Sequence, residues 1–134
     1  MIATSKRRPI FRPEGVNPTE RHLKRLADSA FLTPWGYLEV RNDKGRKDGK
    51  GEGDEVCDYL VVFENDIVIF SVKASLFSQS GDLGVGWIRW FGRAIGESLD
   101  QIRGAERWIK THPERLFLDR SCDHAHDFAV LAQI

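Results

Sequence analysis

Residues 58–73 read DYLVVFENDIVIFSVK. Two runs rich in β-branched and aromatic residues meet at a short polar break, the pattern of a β-hairpin. Both runs are apolar at successive positions, so both faces of this sheet need cover. Taking Asn65-Asp66 as a two-residue turn pairs Glu64 with Ile67 and sets Asp58 directly across from Lys73. On that register Ile67, Ile69, Ser71 and Lys73 share one face, and Val68, Phe70 and Val72 share the other. Opposed residues carry β-carbons about 5 Å apart, so Asp58, Ser71 and Lys73 are expected to converge.

The rest of the chain supplies the cover. Asn17 is a good N-cap, Pro18 suits the first helical position and Glu20 falls at the third. Leu23, Leu26, Ala27, Ala30 and Phe31 then make one apolar helix face. WGYLEV at 35–40 reads as a short strand before the hairpin. Ile88, Phe91, Ile95, Leu99, Ile102 and Ile109 recur at helical spacing from about 86 to 111, and His112-Pro113 ends that helix. RLFL at 115–118 and DFAVLAQI at 127–134 are further strand candidates. The expected class is α/β (α+β mixed sheet): a helix, a three-strand meander, a long helix and a strand, with helices over the sheet faces. Residues 1–16, with Pro9 and Pro13 among Lys6, Arg7, Arg8 and Arg12, read as an irregular basic arm. Residues 17–134 read as a single domain. The final apolar strand is that of a fragment, or of a chain whose last strand a homodimer mate or another partner covers.

Twenty basic residues balance twenty acidic ones. Zero net charge argues against a blanket electrostatic binder of nucleic acid. The charge is nevertheless uneven, for Arg41, Lys44, Arg46, Lys47 and Lys50 cluster in a glycine-rich segment. The loop from Arg41 to Glu55 is expected to be mobile, with Arg46, Lys47 and Lys50 on phosphates; the plain alternative is a solvated loop. No apolar run approaches the roughly 20 residues of a membrane span, and the start lacks a secretory signal, so a cytoplasmic location is expected. Cys57 and Cys122 cannot make a disulfide framework, and Cys57 is expected to be buried. Cys122, His124 and His126 alternate along the chain but do not match the usual spacing of structural zinc ligands.

The converging residues have a chemistry. A carboxylate at a strand end, Asp58, is a hard ligand for Mg²⁺. A lysine beside it, Lys73, positions or activates water or stabilises charge developing on phosphorus. Glu20 on the first helix and Glu97 on the long helix, one turn before Gln101, are the further carboxylates within the pattern. Each has a plainer role: Glu20 in a capping box with Asn17, Glu97 and Gln101 in a solvated stripe with Arg93, Ser71 as a small polar strand residue, and Asp58 with Lys73 as a structural pair.

These residues, in this element order, resemble the PD-(D/E)xK nuclease superfamily. Cys57-Asp58 stands where that family has proline-aspartate, and Ser71-Val72-Lys73 where it has acid-x-lysine. Glu20 corresponds to its first-helix glutamate, and Gln101 to a glutamine that many members carry. The resemblance implies a restriction-endonuclease-like core and a hydrolase that cleaves phosphodiester bonds, most often in DNA, with Mg²⁺ or Mn²⁺ held by Asp58 and Glu20. Ser71 departs from the pattern. A subgroup of type II restriction enzymes is similar in having serine-valine-lysine and takes a glutamate from the following helix, for which Glu97 is the candidate here. The alternative is a catalytically inactive nucleic-acid-binding or scaffold module on the same fold.

Overall fold

Residues 14–30 and 35–126 are described by the computed structural model. The first helix, α1 (Pro18–Ser29), opens on the expected capping box: Asn17 Oδ1 accepts from the Glu20 amide at 2.9 Å, and Glu20 reaches back to the Asn17 amide. Asn17→Ala is therefore expected to cost about 1 kcal/mol, read as a lower denaturant midpoint at unchanged slope.

Three antiparallel strands follow in the order β1 (Gly36–Asn42), β2 (Asp54–Phe63), β3 (Asp66–Phe70). Every residue of β1 is buried. The sheet has cover on both faces. Leu38, Tyr59 and Val61 pack with Ala27 and Leu23 of α1 on one side. On the other, Val40, Leu60 and Val62 pack with Ala105 and Ile109 of the long helix and with Leu116 and Leu118. That helix runs as α2 (Leu83–Phe91), a π-helical turn at Gly92–Gly96, and α3 (Glu97–Thr111). The architecture is thus mixed α/β, a three-stranded antiparallel sheet with helices. Among the described residues no helix is long and apolar enough to cross a membrane.

The hairpin forms, but two residues out from the expected register. Its turn is Glu64-Asn65, with Glu64 at φ 50°, and Phe63 pairs with Asp66, Val62 with Ile67 and Leu60 with Ile69. From Tyr59 to Val62 this register sets apolar residues against apolar residues. The expected one would have set Glu64 against Ile67 and Leu60 against Ser71. Because the slip is two residues, the faces are unchanged: Ile67 and Ile69 pack on the core, while Val68 and Phe70 are exposed.

Residues 115–118 do not make a full strand. Phe117 bridges Arg41 through paired backbone hydrogen bonds of 2.9 and 2.7 Å, and Leu118 and Leu116 bond in turn to His124 and His126. The chain after α3 therefore extends the sheet beyond β1, leaving β3 as the other edge. The expected strand at 127–134 and the basic arm before Glu14 lie outside the described residues. The segment between β1 and β2 is folded rather than open. Lys47 and Lys50 exchange backbone hydrogen bonds around Asp48-Gly49, and the Arg46 guanidinium is bound to the carbonyls of Ser121 and Gly49. Arg46 is thus committed within the fold, a correction to its expected role on phosphate, while Lys47 and Lys50 are exposed.

Candidate active site

Asp58 sits midway along β2, half-buried. Its Oδ2 accepts from the Val72 amide at 2.7 Å, which pins the segment beyond the end of β3. The ladder ends at the Tyr59–Phe70 pair, so Ser71 and Lys73 follow the strand rather than belong to it, and Lys73 is not the direct strand partner of Asp58 that the expected register required. Its side chain is exposed and forms no hydrogen bond or ion pair among the described residues.

Gln101 of α3 closes the other side. The Ser71 hydroxyl donates to Gln101 Oε1, and Gln101 Nε2 donates to Glu55 Oε1 at 3.1 Å. Glu55 was not among the expected site residues. It stands three positions before Asp58, and strict strand alternation would send it to the opposite face. The β1–β2 pairing explains why it does not go there. Val40 faces Cys57 but Arg41 faces Glu55, so Val56 is an extra residue on β2. Such a bulge reverses the alternation and re-aims the side chain beyond it. Burial, then a hydrogen bond and the charge of Asp58, raise the Glu55 carboxyl to about 7; Arg41, with Nη2 3.8 Å from Glu55 Oε2, opposes them. The Asp58 carboxylate thus lies near Glu55. Cys57 between them is fully buried, and burial together with Asp58 and Glu55 pushes its thiol up.

A second carboxylate group adjoins this one. Glu39 is buried in β1 at φ 51°, a left-handed conformation that a glutamate adopts at a cost. Its Oε1 accepts from Arg41 Nη2 and Arg120 Nη2, both at 3.1 Å. Glu20 faces the same group from α1. Burial pushes the Glu20 carboxyl up, but the Val16 amide, the Glu39 side chain, the Asn17 amide and the Arg120 charge hold it below its ordinary value. Glu20 therefore serves the helix cap and abuts Glu39; its hydrogen bonds go to Val16, Asn17 and Glu39 rather than to Asp58.

The cluster thus gathers Asp58, Ser71, Gln101 and Glu55, and runs through Arg41 and Glu39 to Glu20. Glu97 is exposed on the first turn of α3 and forms no hydrogen bond or ion pair among the described residues. Gln101, one turn on, is the helix residue that reaches Ser71. Glu39 and Arg120 were also outside the sequence reading, and Arg41 was read only as part of the basic segment; within β1 the charges of Glu39 and Arg41 were the one available signal. Cys122, His124 and His126 diverge: His124 pairs with Asp119, and His126 is buried against Tyr37.

The donor set suits a hard cation. Carboxylates, an amide oxygen and a hydroxyl are all oxygen ligands, and Mg²⁺ is held by one or two carboxylates with waters completing its shell. Among the described residues no group of three or more His, Cys, Asp or Glu side chains forms a metal cage, so this carboxylate pair is what the fold offers. Comparison of the chain with protein-family models, with curated proteins and with solved structures gave no match.

Proposed function

We propose that this chain is a metal-dependent nuclease of the PD-(D/E)xK kind, hydrolysing phosphodiester bonds in DNA on a restriction-endonuclease-like core. The observation that carries the reading is the gathering of Asp58, Glu55, Ser71 and Gln101 at one end of the β2–β3 hairpin, with the exposed Lys73 two residues beyond Ser71.

Asp58 and Glu55 would hold Mg²⁺ or Mn²⁺, and the ion supplies Lewis-acid polarisation of a phosphoryl oxygen and a more acidic water. Gln101 fixes the Glu55 carboxylate and the Ser71 hydroxyl with one amide, which sets where both point. The Val72 amide does the same for Asp58. Lys73, exposed and with no ion-pair partner among the described residues, offers its ammonium to the negative charge that develops on the phosphate oxygens. Lys47 and Lys50 are the exposed cations of the neighbouring hairpin that suit phosphates of a longer strand.

The test is nicking of supercoiled plasmid with Mg²⁺ or Mn²⁺ by the wild type, Asp58→Ala and Lys73→Ala. Losing either group is expected to slow cleavage by roughly 100-fold or more. Lys73 is exposed, so its removal leaves the fold intact. Equal cleavage by all three proteins would mean that the activity does not come from this site.

One observation favours a second reading. Ser71 stands where a carboxylate is expected, and its hydroxyl is already bound to Gln101. A chain that retains DNA but neither cleaves it nor takes up Mn²⁺ would be the inactive binding or scaffold module.

A further inference from the structure

A cavity of about 410 Å³ opens between the paired ends of β1 and β2 and the side of α3, and Glu55 and Gln101 of the candidate site line it. That volume falls within the roughly 300–1,000 Å³ of small-molecule sites. Its floor is apolar, made by the buried Val56 and Ala105 together with Gly104. Gly104 keeps that floor open, for a Cβ there would meet no atom within 4 Å. The wall beside it is held in place. Trp108 donates from Nε1 to the Arg115 carbonyl at 3.1 Å, and His112 stacks on its ring at a centroid distance of 4.3 Å.

Lys44 and Arg107 reach the cavity from different elements, the turn after β1 and α3. Both are exposed, and neither side chain forms a hydrogen bond or ion pair among the described residues. Neighbouring cations are engaged elsewhere: Arg41 with Glu39, Arg115 with Asp43 and Lys110 with Glu106. Cations left unpaired at the mouth of a cavity suit an anion, and a phosphate can accept from both. An inorganic ion would leave the apolar floor bare. A ligand with a phosphate at one end and a flat ring at the other covers both regions.

We propose, on the nuclease reading above, that this cavity is the subsite for the nucleotide next to the scissile phosphate. Lys44 and Arg107 hold that nucleotide's own phosphate, and its base lies over Gly104. Glu55 and Gln101 belong to the cavity and to the candidate site alike, so an occupant here adjoins the carboxylates. A base held in a protein cavity has left the duplex stack. The substrate strand is therefore unpaired at this nucleotide, and a single-stranded oligonucleotide is expected to be cut faster than the same strand in a duplex.

Isothermal calorimetry of the full chain with thymidine 5′-monophosphate, thymidine and inorganic phosphate tests it, with Mn²⁺ present to offset the charge of Asp54 and Glu55, which also line the cavity. The nucleotide is expected to bind at least about tenfold tighter than either of its parts. Removing both cations, in Lys44→Ala with Arg107→Ala, should weaken it by about tenfold or more, and both positions are exposed, so the fold remains. Gly104→Leu sends a side chain into the cavity. It should weaken the nucleotide equally while inorganic phosphate binds as before, and because leucine is the better helix former, thermal unfolding should not fall. A wild type that nicks plasmid yet binds the nucleotide no tighter than inorganic phosphate overturns the subsite alone. So does undiminished nucleotide binding in these variants, and so do equal cleavage rates on paired and unpaired strands. A wild type that binds the nucleotide but cleaves nothing overturns the nuclease reading, and with it the place of this nucleotide beside a scissile bond.

Discussion

Glu55→Gln is expected to weaken Mn²⁺ binding at least about tenfold and to slow plasmid cleavage by roughly 100-fold, whereas Glu97→Gln leaves both within about twofold. Glutamine is isosteric and still accepts from Gln101 Nε2, so the local geometry survives while the charge is lost. The reason to expect the difference is positional. Glu55 is hydrogen-bonded to Gln101 and lies beside Asp58, while Glu97 stands exposed on the turn before. Isothermal calorimetry with Mn²⁺ separates metal binding from catalysis. If Glu97→Gln lost the metal and Glu55→Gln kept it, the second carboxylate would come from the helix, as the serine-valine-lysine enzymes suggest. Loss in neither variant would leave Asp58 as the sole acidic ligand.

How far the site was legible follows from which rules hold locally. Helix capping depends on three adjacent residues, and Asn17, Pro18 and Glu20 specify it without help from the fold. The face of each hairpin residue depends only on parity, so Ile67 and Ile69 against Val68 and Phe70 could be assigned in advance. Register depends on which turn wins, and here the pairing of Leu60 with Ile69 outweighed an Asn-Asp turn. Glu55 was hidden for a different reason. Its orientation is set by the extra residue Val56, and nothing local distinguishes a bulged valine from a paired one. The Arg46 contacts join residues 75 positions apart, a separation that no local pattern encodes. Composition pointed to an exposed, mobile glycine-rich segment and did not indicate that Arg46 would be bound to Ser121 and Gly49.

Between about pH 6.5 and 4.5 two groups, the buried His126 and the partly exposed Glu55, are expected to tilt the stability of the chain in opposite directions. His126 lies edge-on to Tyr37, ring centroids 4.8 Å apart, and burial lowers its pKa from 6.5 to about 3. Between those values the unfolded chain binds a proton that the folded chain refuses. Stability therefore falls as pH drops below 6.5, by about 1.4 kcal/mol for each pH unit at most. Glu55 acts with the opposite sign. Its carboxyl titrates at about 7 in the folded chain against an ordinary 4.5, first through burial and then through Asp58. The folded chain thus holds a proton that the unfolded chain has lost, and the stability this confers below 4.5 disappears as pH rises through 7. Single substitutions should expose each slope. Glu55→Gln leaves His126 alone, and urea unfolding should show a loss of roughly 2 kcal/mol between pH 6.5 and 4.5. His126→Leu leaves Glu55 alone, so that protein should gain stability on acidification over the same interval. Parallel pH profiles in the two variants would mean that neither Glu55 nor His126 carries the titration.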